Sequence, residues 1–148
     1  MRSVLYCHTL TAIFAKEPIM SQTNPGYVPG VCNIGKGEIA RRRTVGIAAL
    51  VFAVVSGYTL LMADDVARSA RWALFFPLLV SAIGFIQARN KFCLAYGLVG
   101  TFNFGKISEM EKVFDAESKK SDRKKALSIL IQAIIAAGVV TAIFVWIP

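Results

Sequence analysis

Three stretches decide the fold: TVGIAALVFAVVSGYTLLMA (44–63), WALFFPLLVSAIGFIQA (72–88) and ALSILIQAIIAAGVVTAIFVWI (126–147). They run 20, 17 and 22 residues without an Asp, Glu, Lys or Arg. At about 1.5 Å per helical residue, each reaches roughly 25–33 Å, the thickness of a bilayer's hydrocarbon core. The expected fold is an all-α integral membrane helical protein with three transmembrane helices.

Composition agrees. The chain has 148 residues, 55% of them hydrophobic, and a mean hydropathy of +0.56. Its apolar residues come in blocks rather than in the alternation of a soluble core. A net charge of +8 invites a nucleic-acid reading. The placement of the charge argues against it. Arg41, Arg42 and Arg43 precede the first span, Arg89 and Lys91 follow the second, and Lys119, Lys120, Arg123, Lys124 and Lys125 precede the third. Basic residues beside apolar blocks face the cytoplasm and its anionic lipid headgroups. The expected partners are therefore the lipid bilayer, anionic headgroups met by Arg41, Arg42 and Arg43, and further copies of the chain or a larger membrane complex, with no nucleic acid.

The chain divides at the first span into a tail (1–43) and a membrane domain (44–148). Residues 1–19 differ in character from the rest of the tail, and the polar run from Met20 reads as an ordinary cytoplasmic N-terminus, so translation is expected to start there. A disordered or surface-lying tail and a signal peptide are the alternatives. The signal peptide fits poorly, because Cys7, His8 and two threonines interrupt its apolar core and export would leave the triple arginine outside. Residues 20–35 carry Pro25, Gly26, Pro29, Gly30 and Gly35, a loop composition.

Between spans one and two, Asp64 and Asp65 against Arg68 and Arg71 make a neutral outer turn, where a cation site is the less favoured use of the carboxylates. Trp72 anchors span two at headgroup level, and Pro77 is expected to kink it. Residues 92–104 (FCLAYGLVGTFNF) make only about 20 Å of helix and have basic flanks on both sides, which predicts a short re-entrant or interfacial segment. Residues 105–125 hold seven Lys/Arg against five Asp/Glu. Met110, Val113 and Phe114 at helical spacing predict a cytoplasmic amphipathic helix there, lying at the surface or continuing into span three, with Asp115 and Lys119 spaced as an ion pair. The topology then has the N-terminus cytoplasmic, three crossings and the C-terminus outside.

Small residues four apart mark the helix-packing faces: Ala53 and Gly57, Gly84 and Ala88, Gly138 and Ala142. Gln132, an amide within span three, is expected to bond a neighbouring helix or its own backbone. No ionisable group lies inside a span, which argues against a proton relay. No catalytic, cofactor or metal constellation stands out, and the three cysteines form no CxxC motif. Cys93, beside Arg89 and Lys91 where span two ends, is the candidate reactive thiol, with Cys32 as a second on the same side. The expectation is a non-enzymatic subunit or homo-oligomer without a cofactor. A thiol-dependent sulfur-handling or redox protein is the alternative, and a small oligomeric channel or exporter the third reading.

Asn33 ahead of the basic entry to span one, Gly84-Phe85-Ile86-Gln87 ending span two, then Phe92-Cys93 and Tyr96-Gly97, form a pattern over residues 33–104. It resembles the YgaP-type two-span inner-membrane domain of unknown function, found alone or attached to bacterial rhodaneses. That family tends to carry an Asn before its first span and a Phe-Cys after its second. It often has Pro where this chain has Leu94. The resemblance implies a small bacterial inner-membrane protein near sulfur or thiol metabolism, with dimers as one assembly. No rhodanese active-site loop is present, so sulfurtransferase activity does not carry over.

Overall fold

The computed structural model describes residues 26–63, 66–105 and 110–147. The expectations for residues 1–25, for Asp64 and Asp65 and for residues 106–109 lie outside the described residues. Three helices are long and apolar enough to cross a membrane. Helix α1 spans Lys36–Met62; a 3-10 helix, Arg68–Leu74, leads into α2, Phe75–Asn90; and α4 spans Ala116–Trp146. A short helix α3, Leu94–Val99, and an antiparallel pair of two-residue strands, β1 (Thr101–Phe102) and β2 (Glu111–Lys112), lie between α2 and α4.

Helix α2 is the middle of the bundle. It meets α1 where Gly84 lies on Gly46: a Cβ on Gly84 would stand 2.8 Å from the Arg42 carbonyl oxygen and 2.8 Å from the Gly46 Cα. Ser81 Oγ donates to the Gly46 carbonyl at 3.0 Å across the same crossing. The Gly84/Ala88 face is thus used inside the chain, on a partner glycine that the small-residue spacing does not indicate. The Ala53/Gly57 face is used too, with Gly57 against the Phe144 ring of α4 and Leu74. Helix α4 presents Ala126, Ile129, Ala133, Ala137 and Thr141 inward, at three- and four-residue spacing. Gly138 is off that face, and a Cβ there would meet nothing within 4 Å.

Local chemistry explains the boundaries. Pro77 is the third residue of α2, just after the 3-10 helix, so its missing N–H falls in the first turn, where a donor has no intrahelical partner. It lies where the 3-10 helix gives way to the α-helix. At the other end Lys91 takes a left-handed conformation (φ 53°). Its N–H donates to Ala88 and the Phe92 N–H donates to Gln87, a Schellman cap, with Phe92 packed on Ile86.

Residues 92–104 return to the end they leave, as a segment beside that end should. The helix expected over 105–125 begins only at Ala116. Asp115 caps it, accepting from the Ser118 N–H at 2.8 Å and the Ser118 Oγ at 2.7 Å, which also holds its carboxyl below the usual range. That carboxylate is therefore a cap and not the ion-pair partner of Lys119. Before it, Glu111–Lys112 pairs with Thr101–Phe102 and only Val113 turns inward; Met110 and Phe114 are exposed. Strand pairing overrides the helical spacing of the three apolar residues.

Gly84→Ala should lower thermal stability by about 1–3 kcal/mol, because backbone stands in the way of the new methyl group. Gly138→Ala should be neutral or slightly stabilising, since Ala is the better helix former. Thermal unfolding of the two variants in detergent, followed by size-exclusion, compares them directly.

Candidate functional site

The ends of α1, α2 and α4 that carry the basic residues share a folded cap, and the buried polar side chains concentrate there. Asn33, fully buried, is its centre. Its carboxamide embraces the Cys93 backbone: Oδ1 accepts the Cys93 N–H at 2.6 Å and Nδ2 donates to the Cys93 carbonyl at 3.1 Å. Its own N–H donates to the Lys91 carbonyl at 3.2 Å, and its carbonyl accepts the Asn103 N–H at 2.9 Å. The next contact, Gly35 N–H to the Asn103 carbonyl at 2.7 Å, continues the ladder. One residue therefore ties the entry of α1 to the α2–α3 corner and to the segment after β1.

Glu38, one turn into α1, is buried with its side chain 2% exposed. A buried carboxylate needs compensation. Arg42 supplies it, with Nη2 at 3.2 Å from Oε2, and Arg41 Nη1 lies 3.6 Å from Oε1. The same Arg42 Nη2 is 3.2 Å from Cys93 Sγ, and the guanidinium stands 5.9 Å over the Tyr96 ring. Burial, then the nearby Glu38 charge, push the Tyr96 hydroxyl up, against the opposing effects of Asn103 and Arg42. Arg42 thus departs from its expected role: its guanidinium is turned inward, onto Glu38 and Cys93, while Arg41 and Arg43 stay exposed.

Cys93 is a free thiol, 1% exposed, with a guanidinium rather than solvent against its sulfur. Cys32, equally buried, is disulfide-bonded, and since Cys93 is free the two are not joined to each other. Both lie at one end of the bundle, as the spacing predicts. Gln87, 5% exposed, has no hydrogen-bond partner for Oε1 among the described residues. No group of three His, Cys, Asp or Glu able to hold a metal ion occurs among them. Gln132 bonds Ser128 on its own helix at 3.0 Å.

A second polar contact closes the cap onto α4. Asp122 is fully buried and accepts the Tyr27 hydroxyl at 2.7 Å and the Gly30 N–H at 2.7 Å. Gly30 reaches it in a left-handed conformation (φ 69°), open to glycine at little cost. Tyr27 stacks on Phe102 with ring centroids 4.6 Å apart, and Val113 completes that small core. Burial first, and the Asp122 hydrogen bond second, raise the Tyr27 hydroxyl well above its ordinary range, so it stays a donor at physiological pH.

Glu38, Tyr27, Asp122 and Asn103 were not singled out by sequence reasoning. Two signals were available. Glu38 stands three and four residues before Arg41 and Arg42, the spacing of a helical ion pair. Asp122 falls in step with Ala126, Ile129 and Ala133, on the buried face of α4.

Asn33→Ala should cost about 2–4 kcal/mol, because it leaves the Cys93 N–H and carbonyl unpaired in a buried place. Tyr27→Phe keeps the stack on Phe102 and removes one donor from Asp122, for about 1–3 kcal/mol. Thermal unfolding of the purified chain reads both, and equal stability of Asn33→Ala and the parent would remove Asn33 from the centre of the cap.

Compared with known proteins, the chain matches no family model, no curated protein and no solved structure.

Proposed function

We propose that this chain is a multi-pass protein of a bacterial inner membrane, acting as a non-enzymatic subunit or homo-oligomer, with its polar cap in the cytoplasm and its C-terminus outside. One observation carries the reading. The most apolar windows of the three long helices are only 17%, 17% and 28% buried within the chain. Val51, Phe52, Val55 and Ile143 are each more than half exposed, a surface suited to lipid or to neighbouring helices. Buried Asn33, Asp122 and Glu38 are engaged by other groups of the chain, which supports a structural use for them. Gly138 and Ala142 are the small-residue pair left outside the buried face of α4, available to another helix.

The orientation follows from the cations gathered at the capped end. Single cysteines placed at Lys112→Cys in the cap and at Ser69→Cys in the 3-10 helix, in a chain whose native cysteines are serine, test it. A membrane-impermeant maleimide should label the Ser69 position in intact cells and the Lys112 position only in inverted vesicles. The opposite pattern overturns the orientation, and labelling of both sites from one side overturns three crossings. In a reducing cytoplasm the Cys32 disulfide would open, so denatured native protein, trapped without oxidation, should then show Cys32 as a thiol. A partner co-purifying in fixed ratio, or a defined oligomer, supports the subunit reading.

The contact of Arg42 with Cys93 Sγ favours a second reading, a thiol-dependent sulfur-handling or redox protein, because it sets a cationic donor directly on the sulfur. It requires the buried sulfur to be exposed in use. Under the subunit reading Cys93 resists maleimide until denaturant is added, and Cys93→Ser keeps any deletion-linked phenotype unchanged. Rapid labelling of the folded chain, with loss of that phenotype in Cys93→Ser, would replace the first reading by the second.

A further inference from the structure

The charged stretch leading into α4 is more one-sided than its sequence. Residues 105–125 carry a modest excess of cations, and the fold takes one of their carboxylates, Asp122, out of the surface while Asp115 stays exposed. Asp122 is turned inward to Tyr27 and Gly30, and Asp115 is engaged by Ser118. On the outward face Lys119, Lys120, Arg123 and Lys124 surround Ala116 and Leu127, at spacings that place them on one side of the helix. Glu117 stands at the edge of this face. Among the described residues every ion pair is made by Glu38, so none of these cations is paired with a described carboxylate, although Asp115 and Glu117 share a neighbouring hollow with Lys120 and Lys124.

The face also sits at a defined level. The apolar run of α4 begins at Ala126, and Leu127, 55% exposed, is its first outward side chain. Cations directly above an apolar side chain match the phosphate and first acyl methylenes of a lipid. At α1, by contrast, Arg41 and Arg42 both lean on Glu38 and Arg42 also on Cys93.

We propose that the outward face of α4 formed by Lys119, Lys120, Arg123 and Lys124 binds the phosphate of an anionic glycerophospholipid, whose acyl chain lies along Leu127. This rests on the membrane reading above and moves the main headgroup contact from the arginine triplet to α4.

The test uses the full chain reconstituted into vesicles of phosphatidylcholine with a minor share of phosphatidylglycerol. Native mass spectrometry after gentle extraction then reads the ratio of the two lipids retained. The parent should retain phosphatidylglycerol with an enrichment on the order of tenfold over the vesicle mixture, between the effect of one cation and of two at about fivefold each. The triple variant Lys120→Gln, Arg123→Gln, Lys124→Gln should lose most of that enrichment, while Arg41→Gln, Arg43→Gln should change it by about twofold or less. Enrichment unchanged in the triple variant, or lost equally in the arginine pair, overturns the proposal. Displacement of the lipid by millimolar inorganic phosphate would assign the face to a free anion and overturn it too. Flotation of parent and variants with pure phosphatidylcholine vesicles reports membrane insertion separately, so a failed lipid preference is distinguishable from a failed membrane reading.

Discussion

The fold depends on how a chain leaves a helix bundle without abandoning its backbone hydrogen bonds. Asn33 is the solution at the capped end. Its main chain bridges Lys91 and Asn103, and its carboxamide serves both polar groups of Cys93. Three segments far apart in sequence are thereby paired without a regular sheet. A carboxamide can do this because it is a donor and an acceptor at one carbon, the same pair a peptide group presents. Asp offers only acceptors when ionised, and Ser is too short to span both Cys93 groups. The Schellman cap at Lys91 delivers Phe92 and Cys93 to this place, and Phe92 then packs against Ala126 and Ile129 of α4. Helix termination, loop pairing and helix packing therefore meet within a few residues.

Charge is handled by the same economy of position. Of the many ionisable groups at this end, two carboxylates are buried, and each receives a different compensation. Glu38 has arginines from its own helix, so its charge compensation is local in sequence. Asp122 has no cation among the described residues. It relies on a phenol and a peptide N–H brought from the opposite end of the described chain. Such a carboxylate is costly unless both donors are in place, and the loop at Tyr27–Gly30 is accordingly held to α4. Taking acids inward leaves the outer surface more basic than the composition of the segment suggests.

Much of the architecture was legible in the sequence because a bilayer-length apolar run has few other uses. The three long helices, and the absence of a long helix from residues 92–104, follow from the lengths of the apolar runs. Packing was legible only in part. Gly84 was visible as a small residue in a span, yet its partner Gly46 has no small neighbour four residues away to announce it. Gly138 looked equivalent to Gly84 but lies off the buried face, since small residues also occur where a helix meets only lipid. The interval 110–115 misled for another reason: apolar spacing cannot distinguish a helix from a short strand whose pairing with β1 is set by Gly100 and Val113. Cys93 and Asn33 could be picked out separately, while their contact is a product of the three-dimensional path. The inward turn of Arg42 was concealed within a triplet of identical residues.

The position of α2 between α1 and α4 has a bearing on the order of assembly during synthesis. The crossing of Gly46 with Gly84, the cap at Lys91 and the embrace of Cys93 by Asn33 use residues up to Cys93, all made before α4. A two-helix hairpin with its corner already secured can thus form while the last helix is still being translated. Helix α4 then has a prepared surface to dock on, and Asp122 meets Tyr27 and Gly30 only at that moment. That contact joins the last helix to the earliest described turn, so the described chain closes on itself.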